Sequence, residues 1–182
     1  DVQSPHTIEF AISTIDLDIH QLSNGIESKL INSPFPDYLP ALSQPNNHLA
    51  FASKRTGSAQ IWVKGDNDNL KQVTNFERAT YIYDIAWSPN ENKLLVKRNN
   101  SIHIVDIETN QESILPIDAQ QKVAWQWISN HQIAYVDKGS QSLFSFDIQT
   151  LNAQLIRTDV KFARYANQQW FISDSTGDSL VK

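Results

Sequence analysis

The stretch Leu49-Ala-Phe-Ala-Ser-Lys-Arg-Thr-Gly-Ser-Ala-Gln-Ile-Trp-Val63 decides the fold of this chain. It contains an apolar segment, a turn around Gly57 and a second apolar segment that begins at Ile61. Two short apolar segments joined by a glycine turn are typical of a β-hairpin. The arrangement returns twice: as Leu94–Val96, Asn99–Asn100 and Ile102–Asp106, and as Ile133–Val136, Gly139–Ser140 and Leu143–Asp147. The chain is therefore expected to consist of repeated β units.

Equivalent positions in the three copies recur at a spacing of 41 residues. One such series is Ile61, Ile102 and Leu143, and a second is Val73, Ile114 and Leu155. A repeat of about 40 residues made of four short strands is typical of a β-propeller blade. A blade cannot bury both of its faces alone, so neighbouring blades must cover them. The main alternative is a β-sandwich, but that fold does not require a regular repeat.

The apolar pattern within each unit predicts where each strand lies. The second strand is continuously apolar, as in Ile133–Val136, which is expected when both faces are covered. The third strand alternates more, and the fourth is half polar, as an outer strand in water would be. Gly57, Asn100, Gly139 and Gly177 occupy the turns between second and third strands, where positive φ is expected. No segment shows a sustained helical period, so no long helix is predicted.

These patterns predict an all-β chain, namely a partial or small propeller of about four to five four-stranded blades. The whole chain, residues 1–182, is interpreted as one such domain. The predicted blades are 8–31 (partial), 38–74, 83–115, 123–157 and 161–182 (partial). The first of them is the faintest, with strands expected at 8–12, 17–22 and 25–31.

Composition restricts the classes of partner. The net charge of −5 and the pI of about 5.4 disfavour nucleic acid, which is bound by clustered basic residues. The chain's basic residues are scattered, and the one short basic cluster is Lys54-Arg55. No apolar stretch is long enough to span a membrane, and no signal peptide is recognised. The chain contains no Met, so Asp1 is not expected to be a translation start, and it contains no Cys.

Two segments resemble the TolB-type propeller repeat. They are Asp84-Ile-Ala-Trp-Ser-Pro-Asn-Glu-Asn-Lys-Leu-Leu95 and the stretch 49–63 quoted above, and the resemblance extends over about 38–159. The family pattern is roughly Trp-Ser-Pro-Asp-Gly, an apolar strand, Ser-x-Arg-x-Gly, and then Ile-aromatic-Val. Here Asn90-Glu91 replaces Asp-Gly, and Lys54 stands where many members carry Asp.

The resemblance implies a binding module that carries no catalytic residues and no cofactor. TolB-type repeats occur in the extracytoplasmic part of CadC-like membrane-bound transcription regulators, and this setting is the one expected here. The partner would then be a protein or small-molecule signal on the periplasmic side of the inner membrane, and the parent chain would be membrane-anchored. The alternatives are the accessory propeller of a prolyl-oligopeptidase-type serine peptidase and a TolB-like propeller that binds a lipoprotein.

Residues that could carry catalysis or hold a metal have simpler interpretations. Ser58 and Ser140 follow glycines at hairpin turns but lack the second glycine of a hydrolase nucleophile motif. The five histidines show no zinc-site spacing; His48 is interpreted as a surface turn residue, and His103 as packed or solvated. The run 66–69 resembles the start of a calcium loop, but it lacks the central glycine, so a solvated turn is predicted.

Aromatic residues supply the candidates for partner binding. Trp87, Trp127 and Trp170 fall on or beside core strands and are expected to pack. The candidate binding residues are Trp62, Tyr81, Tyr83, Trp125 and Arg55. Exposed aromatic and arginine side chains often anchor a protein partner, which is the reason for this choice.

Overall fold

The computed structural model describes residues 17–43, 46–77 and 80–175. The strands are β1 (Ile19–Ser23), β2 (Ile26–Ile31), β3 (Asp37–Leu42), β4 (Leu49–Ser53), β5 (Gln60–Lys64), β6 (Leu70–Gln72), β7 (Ile82–Trp87), β8 (Lys93–Arg98), β9 (Ser101–Asp106), β10 (Glu112–Ile114), β11 (Lys122–Trp127), β12 (Gln132–Asp137), β13 (Ser142–Asp147), β14 (Asn152–Thr158), β15 (Phe162–Ala166) and β16 (Gln169–Ser173). The helical content of the described residues is one 3-10 turn at Asp66–Asp68.

The strands form five antiparallel sheets, numbered here in chain order. Sheet 1 pairs β1 with β2, and sheet 5 pairs β15 with β16. Sheets 2, 3 and 4 each contain four strands in sequential order, β3–β6, β7–β10 and β11–β14. The first strands of successive sheets contact one another in chain order: β3 contacts β7, β7 contacts β11, and β11 contacts β15. These four strands line one common cavity. The all-β prediction is confirmed, and the architecture is that of a propeller.

The apolar core is divided among the spaces between successive sheets. In β4, Ala50 and Ala52 pack toward sheet 3, while Leu49 and Phe51 pack toward sheet 1. All four side chains are at most 5% exposed. Complete burial of a side chain the size of Phe51 contributes about 1.5–3 kcal/mol. Because both faces of the second strand are covered, its sequence is apolar at consecutive positions rather than alternately.

The sheets are also joined by tryptophan side chains of the innermost strands. The indole N–H of Trp87 donates to the Ala41 carbonyl in sheet 2 at 2.9 Å. One blade later, the indole N–H of Trp127 donates to the Ala86 carbonyl at 3.1 Å. Each bond ties one inner strand to the preceding one. Trp87 and Trp127 therefore pack in the core as expected. In addition, each provides a hydrogen bond to a backbone carbonyl of the preceding sheet.

The turns differ from the predicted positions in two places. Gly57 has φ +92°, as predicted, but in the next blade Asn99 rather than Asn100 has positive φ. In sheet 4, Gln141 takes positive φ and Gly139 does not. The third strands were also expected to alternate, yet β9 and β13 each have four of six residues buried. The reason is the same as for the second strands, since neighbouring sheets cover both faces.

Some predicted features lie outside the described residues. These are the strand at 8–12, the turn at Gly177 and the remainder of the segment 176–182. In the described part, the first and last sheets therefore consist of two strands each.

Candidate partner-binding groove

Exposed aromatic and proline side chains line a groove of about 610 Å³ between sheets 2 and 3. It lies where β3 and β7 begin, so it opens at one end of the inner strands. Leu17, Pro34 and Phe35 contribute to one side, and Tyr81 and Tyr83 contribute to the other. Tyr38 and the buried Ile82 also line it. This groove is the candidate functional site because it concentrates exposed apolar surface in a concave shape.

The sequence restricts the backbone of the side formed by Pro34-Phe35-Pro36, which bends at Pro34 and Phe35 before β3 begins. Proline fixes its own φ and disfavours helical conformation in the preceding residue, here Ser33 and Phe35. The Ser33 hydroxyl donates to the Asp37 carboxylate at 2.8 Å and accepts from the Phe35 backbone N–H at 3.3 Å. These bonds fix the start of β3 and leave the Phe35 side chain 42% exposed.

Tyr81 and Tyr83 form the opposite side of the groove. A different feature of the backbone holds each of them outward. The Tyr81 backbone N–H donates to the Asn99 side-chain oxygen at 3.1 Å, and the Asn99 N–H donates to the Tyr81 carbonyl at 2.9 Å. Tyr83 occupies a β-bulge, because Ile82 and Asp84 pair with adjacent residues of β8 and leave Tyr83 unpaired. The two side chains are 67% and 57% exposed.

One end of the groove is polar. Lys54, Thr80 and Tyr81 line both the groove and a second cavity of about 370 Å³. The second cavity is also lined by Gly57 and Ser58 of the turn between β4 and β5. The Lys54 ammonium is exposed, and it forms no ion pair with any described residue. Among the described lining residues, the combined site therefore offers an apolar surface that ends at the Lys54 ammonium.

The structure brings together Tyr81 and Tyr83 and places the other three candidate binding residues elsewhere. Arg55 lies inside sheet 2, where its guanidinium contacts the buried Asp37 carboxylate at 2.9 Å. It also lies 4.8 Å from the ring centre of Trp62, which packs against sheet 1. Trp125 is 5% exposed, and its ring centre lies 4.7 Å from that of Tyr135 in a tilted arrangement. These positions give Arg55, Trp62 and Trp125 a packing environment rather than an exposed one.

Several residues of the groove were not singled out from the sequence. Leu17, Phe35 and Tyr38 belong to this group, and Lys54 was noted only as a departure from the family pattern. The sequence feature that could have identified Phe35 and Tyr38 is the Pro34-Phe35-Pro36 run immediately before a predicted inner strand. Two prolines around an aromatic residue, just before a strand, indicate a rigid exposed loop.

A second concave region lies at the other end of the inner strands. This cavity of about 580 Å³ is lined by Trp87, Trp127, Asp84 and Arg164, among others. Burial raises the pKa of the Asp84 carboxyl, although the Ile85 backbone N–H and the nearby Lys97 and Arg164 charges oppose that effect. The inner strands therefore have an aromatic groove at one end and a cavity with charged residues toward the other.

The histidines take part in contacts between strands and sheets. His48 was predicted as a surface turn residue, but its ring lies between sheets, 3.6 Å from the Glu91 carboxylate and 3.8 Å from the Asp66 carboxylate. His103 is packed, at 2% exposure, and contacts the Glu112 carboxylate at 2.5 Å. Burial lowers the pKa of His103, against the raising effect of Glu112. In the described ranges, no three His, Asp or Glu side chains are grouped suitably for a metal ion.

Comparison with known proteins identifies the fold. No protein-family model matches the chain, and no curated protein sequence matches it. Among solved structures, it is similar to TolB from Acinetobacter baumannii, with a TM-score of 0.60 and 14% identity over 83% of this chain and 44% of TolB. It is also similar to oligogalacturonate lyase from Vibrio parahaemolyticus, with a TM-score of 0.58 and 15% identity over 79% of this chain and 47% of the lyase.

A third similarity is to a puromycin-hydrolysing peptidase from Mycobacterium tuberculosis. It has a TM-score of 0.51 and 12% identity over 75% of this chain and 23% of the peptidase. The chain thus spans about half the length of TolB and of the lyase, and about a quarter of the peptidase. Identities this low show the fold alone, which is a TolB-like β-propeller. In the described ranges no helix has the length and apolar character needed to cross a membrane.

Proposed function

We propose that this chain is a binding module without catalytic activity of its own, and that its groove of Tyr81, Tyr83 and Phe35 captures a partner. The observation that carries this proposal is the exposure of the two tyrosines, 67% and 57%, on one side of a concave apolar surface. Aromatic side chains bury a large area at small entropic cost and dominate binding energy at interfaces. A groove formed by rigid loops also loses little conformational freedom on binding.

The contacts around the groove support a binding role over a catalytic one. Among the described residues that line the groove, Lys54 is the one charged side chain, and none is an acid or a histidine that could act as a general base. The turn residue Ser58 accepts a hydrogen bond from the Gln60 side chain at 2.8 Å, so its oxygen is part of a local turn network. Oligogalacturonate lyase and the puromycin-hydrolysing peptidase are enzymes, but their similarity to this chain concerns the fold alone.

The setting that we propose for this module is the extracytoplasmic part of a CadC-like membrane-bound transcription regulator. The support is the resemblance of 49–63 and 84–95 to the TolB-type repeat, together with the acidic charge. Two other settings share the same groove. The similarity to the puromycin-hydrolysing peptidase favours an accessory propeller, and the similarity to TolB favours a protein-binding propeller.

Site-specific photo-crosslinking tests the binding role. A benzoyl-phenylalanine is placed at Tyr83 in the full-length protein produced in its own cells, and the crosslinked species are identified by mass spectrometry. We expect one predominant partner, which Tyr81→Ser strongly reduces. The control position is Ile114, which is 63% exposed on the outer strand of sheet 3. Equal crosslinking from both positions, or insensitivity to Tyr81→Ser, would contradict the proposal.

The location is tested independently. Alkaline phosphatase is active only after export from the cytoplasm. In the full-length protein, it is fused directly after Lys182. Activity is expected if this domain lies outside the cytoplasm. An inactive but intact fusion would exclude both the regulator and the TolB-like settings.

A further inference from the structure

The groove and the adjoining polar cavity suggest the chemistry of the partner, which extends the function proposed above. The two cavities meet at Lys54, Thr80 and Tyr81, so a ligand that occupies both passes the Lys54 ammonium. Lys54 is the one charged residue among the described lining of either cavity. The protein as a whole carries a net charge of −5, which on average repels anions. The Lys54 ammonium therefore provides a local positive charge that favours a negatively charged group on the ligand.

The tyrosines indicate the backbone conformation of the partner. Neither the Tyr81 nor the Tyr83 hydroxyl has a hydrogen-bond partner among the described residues, so both are available as donors. A helix satisfies its own carbonyls and has few to offer. An extended polyproline-type segment has no internal hydrogen bonds and presents its carbonyls to the groove. Paired tyrosine hydroxyls therefore favour an extended peptide.

The shape and composition of the groove favour proline and other apolar side chains in that peptide. Grooves lined by aromatic side chains accommodate proline-rich segments because these are already rigid and lose little entropy on binding. Phe35 on one side and Tyr83 on the other present flat apolar surfaces, with exposures of 42% and 57%. Tyr38 also lines the groove and is half-buried, and burial raises the pKa of its hydroxyl and favours the neutral form.

We propose that the groove binds an extended peptide rich in proline and other apolar residues, with a carboxylate that pairs with Lys54. This inference rests on the binding role assigned to the groove above. The peptide's apolar residues lie between Phe35 and Tyr83, the tyrosine hydroxyls donate to its carbonyls, and its acidic group lies at the polar end. The carboxylate belongs either to an Asp or Glu side chain or to a peptide C-terminus.

The test uses fluorescein-labelled short peptides of alternating proline and leucine and measures fluorescence anisotropy. Three amidated peptides end in Asp, Asn or Lys, and a fourth ends in Asn with a free C-terminal carboxylate. The Asp peptide is expected to bind more tightly than the Asn peptide by about threefold, as for an exposed ion pair. Lys54→Gln should remove this difference, and Lys54→Glu should reverse the order of the Asp and Lys peptides. Comparison of the Asp peptide with the free-carboxylate peptide identifies the source of the acid.

Matched variants separate the groove from general effects of charge and stability. Lys138→Gln removes an exposed lysine at a distant turn and should leave every affinity unchanged. Tyr81→Ser with Tyr83→Ser should weaken all peptides by at least about tenfold, as expected for loss of two aromatic anchors. Leu155→Ser, at 56% exposure on the outer strand of sheet 4, should have no effect. Circular dichroism and thermal unfolding verify that each variant folds.

The outcomes distinguish this inference from the binding role itself. If Tyr83 crosslinks a partner but none of the peptides binds, the peptide inference is overturned and the binding role stands. If the peptides bind but Lys54→Gln weakens the Asp and Asn peptides equally, the acidic preference is overturned. If neither crosslinking nor peptide binding occurs, both are overturned.

Discussion

Replacing Arg55 by methionine should strongly destabilise the protein, because it leaves the Asp37 carboxylate buried without its charge partner. Asp37 is 1% exposed, and its oxygens lie 2.9 and 3.1 Å from the terminal nitrogen of Arg55. The guanidinium also donates to the Ser53 hydroxyl at 2.9 Å and lies 4.8 Å from the Trp62 ring centre. Methionine keeps much of the packing of the arginine stem but none of these polar interactions.

The magnitude follows from the burial of the two partners. Removing one member of a buried ion pair costs about 3–5 kcal/mol. The lost contact with Trp62 adds about 0.5–1 kcal/mol for a cation over an aromatic ring. The Arg55 side chain is 17% exposed, so water reaches part of the pair, and the lower end of the range applies. We expect a loss of about 3 kcal/mol, a large part of the 5–15 kcal/mol typical of a domain.

Urea unfolding followed by tryptophan fluorescence measures this loss as a change in the midpoint at constant slope. The control is Lys138→Met, which removes an exposed cation at the turn between β12 and β13 and should alter stability by no more than about 0.5 kcal/mol. Adding Asp37→Asn to Arg55→Met should recover part of the loss, because the buried charge is then removed. If Arg55→Met is no more destabilising than Lys138→Met, the ion pair does not stabilise the fold as argued.

Three further predictions concern packing, a turn and a titrating group. Trp127→Phe leaves the Ala86 carbonyl without its donor at 3.1 Å and should lower the stability by about 1–3 kcal/mol, measured by thermal unfolding. The indole N–H of Trp170 has no partner among the described residues, so Trp170→Phe should lower the stability by less. Gly57→Ala should cost about 1 kcal/mol by urea unfolding, because φ +92° is unfavourable for alanine, and an unchanged midpoint would contradict this. The raised pKa of Asp84 means that folding disfavours its ionised form, so its stability penalty is absent well below the usual aspartate pKa and grows as pH rises through the raised folded value. The stability of Asp84→Asn relative to the natural protein should therefore increase as pH rises above the usual aspartate pKa of 3.8, and parallel stability curves of the two proteins would rule this out.

Much of the fold follows from local sequence. The interval of 41 residues identifies the repeat, and the apolar runs identify β4, β8 and β12 as buried second strands. Such runs are reliable because a sheet that is covered on both faces leaves no position for a polar side chain. Single turn residues are harder to place, since a shift of one residue decides whether Asn99 or Asn100 adopts positive φ.

The candidate site was predictable only in part. Tyr81 and Tyr83 were singled out and lie in the groove, but Trp125 was also singled out and is buried. Tyr83 and Trp125 both lie at β-bulges of inner strands, where an extra residue shifts which side chains face the core, so strand alternation alone does not predict their exposure. Trp125 lies within the bulge of β11, between the paired residues Val123 and Gln126.

The sequence by itself determines the repeat, the order of strands within each unit and the strands that are buried, because these depend on local periodicity. Only the tertiary structure decides that Phe35 lies across a groove from Tyr83, and that Lys54 stands at the polar end of this groove. Phe35 and Lys54 flank strands of sheet 2 whereas Tyr83 lies in sheet 3, and the packing of these two sheets brings the residues together. Contacts such as the hydrogen bond from Trp87 to Ala41 hold the two sheets together; they join residues far apart in the chain and have no local signature in the sequence.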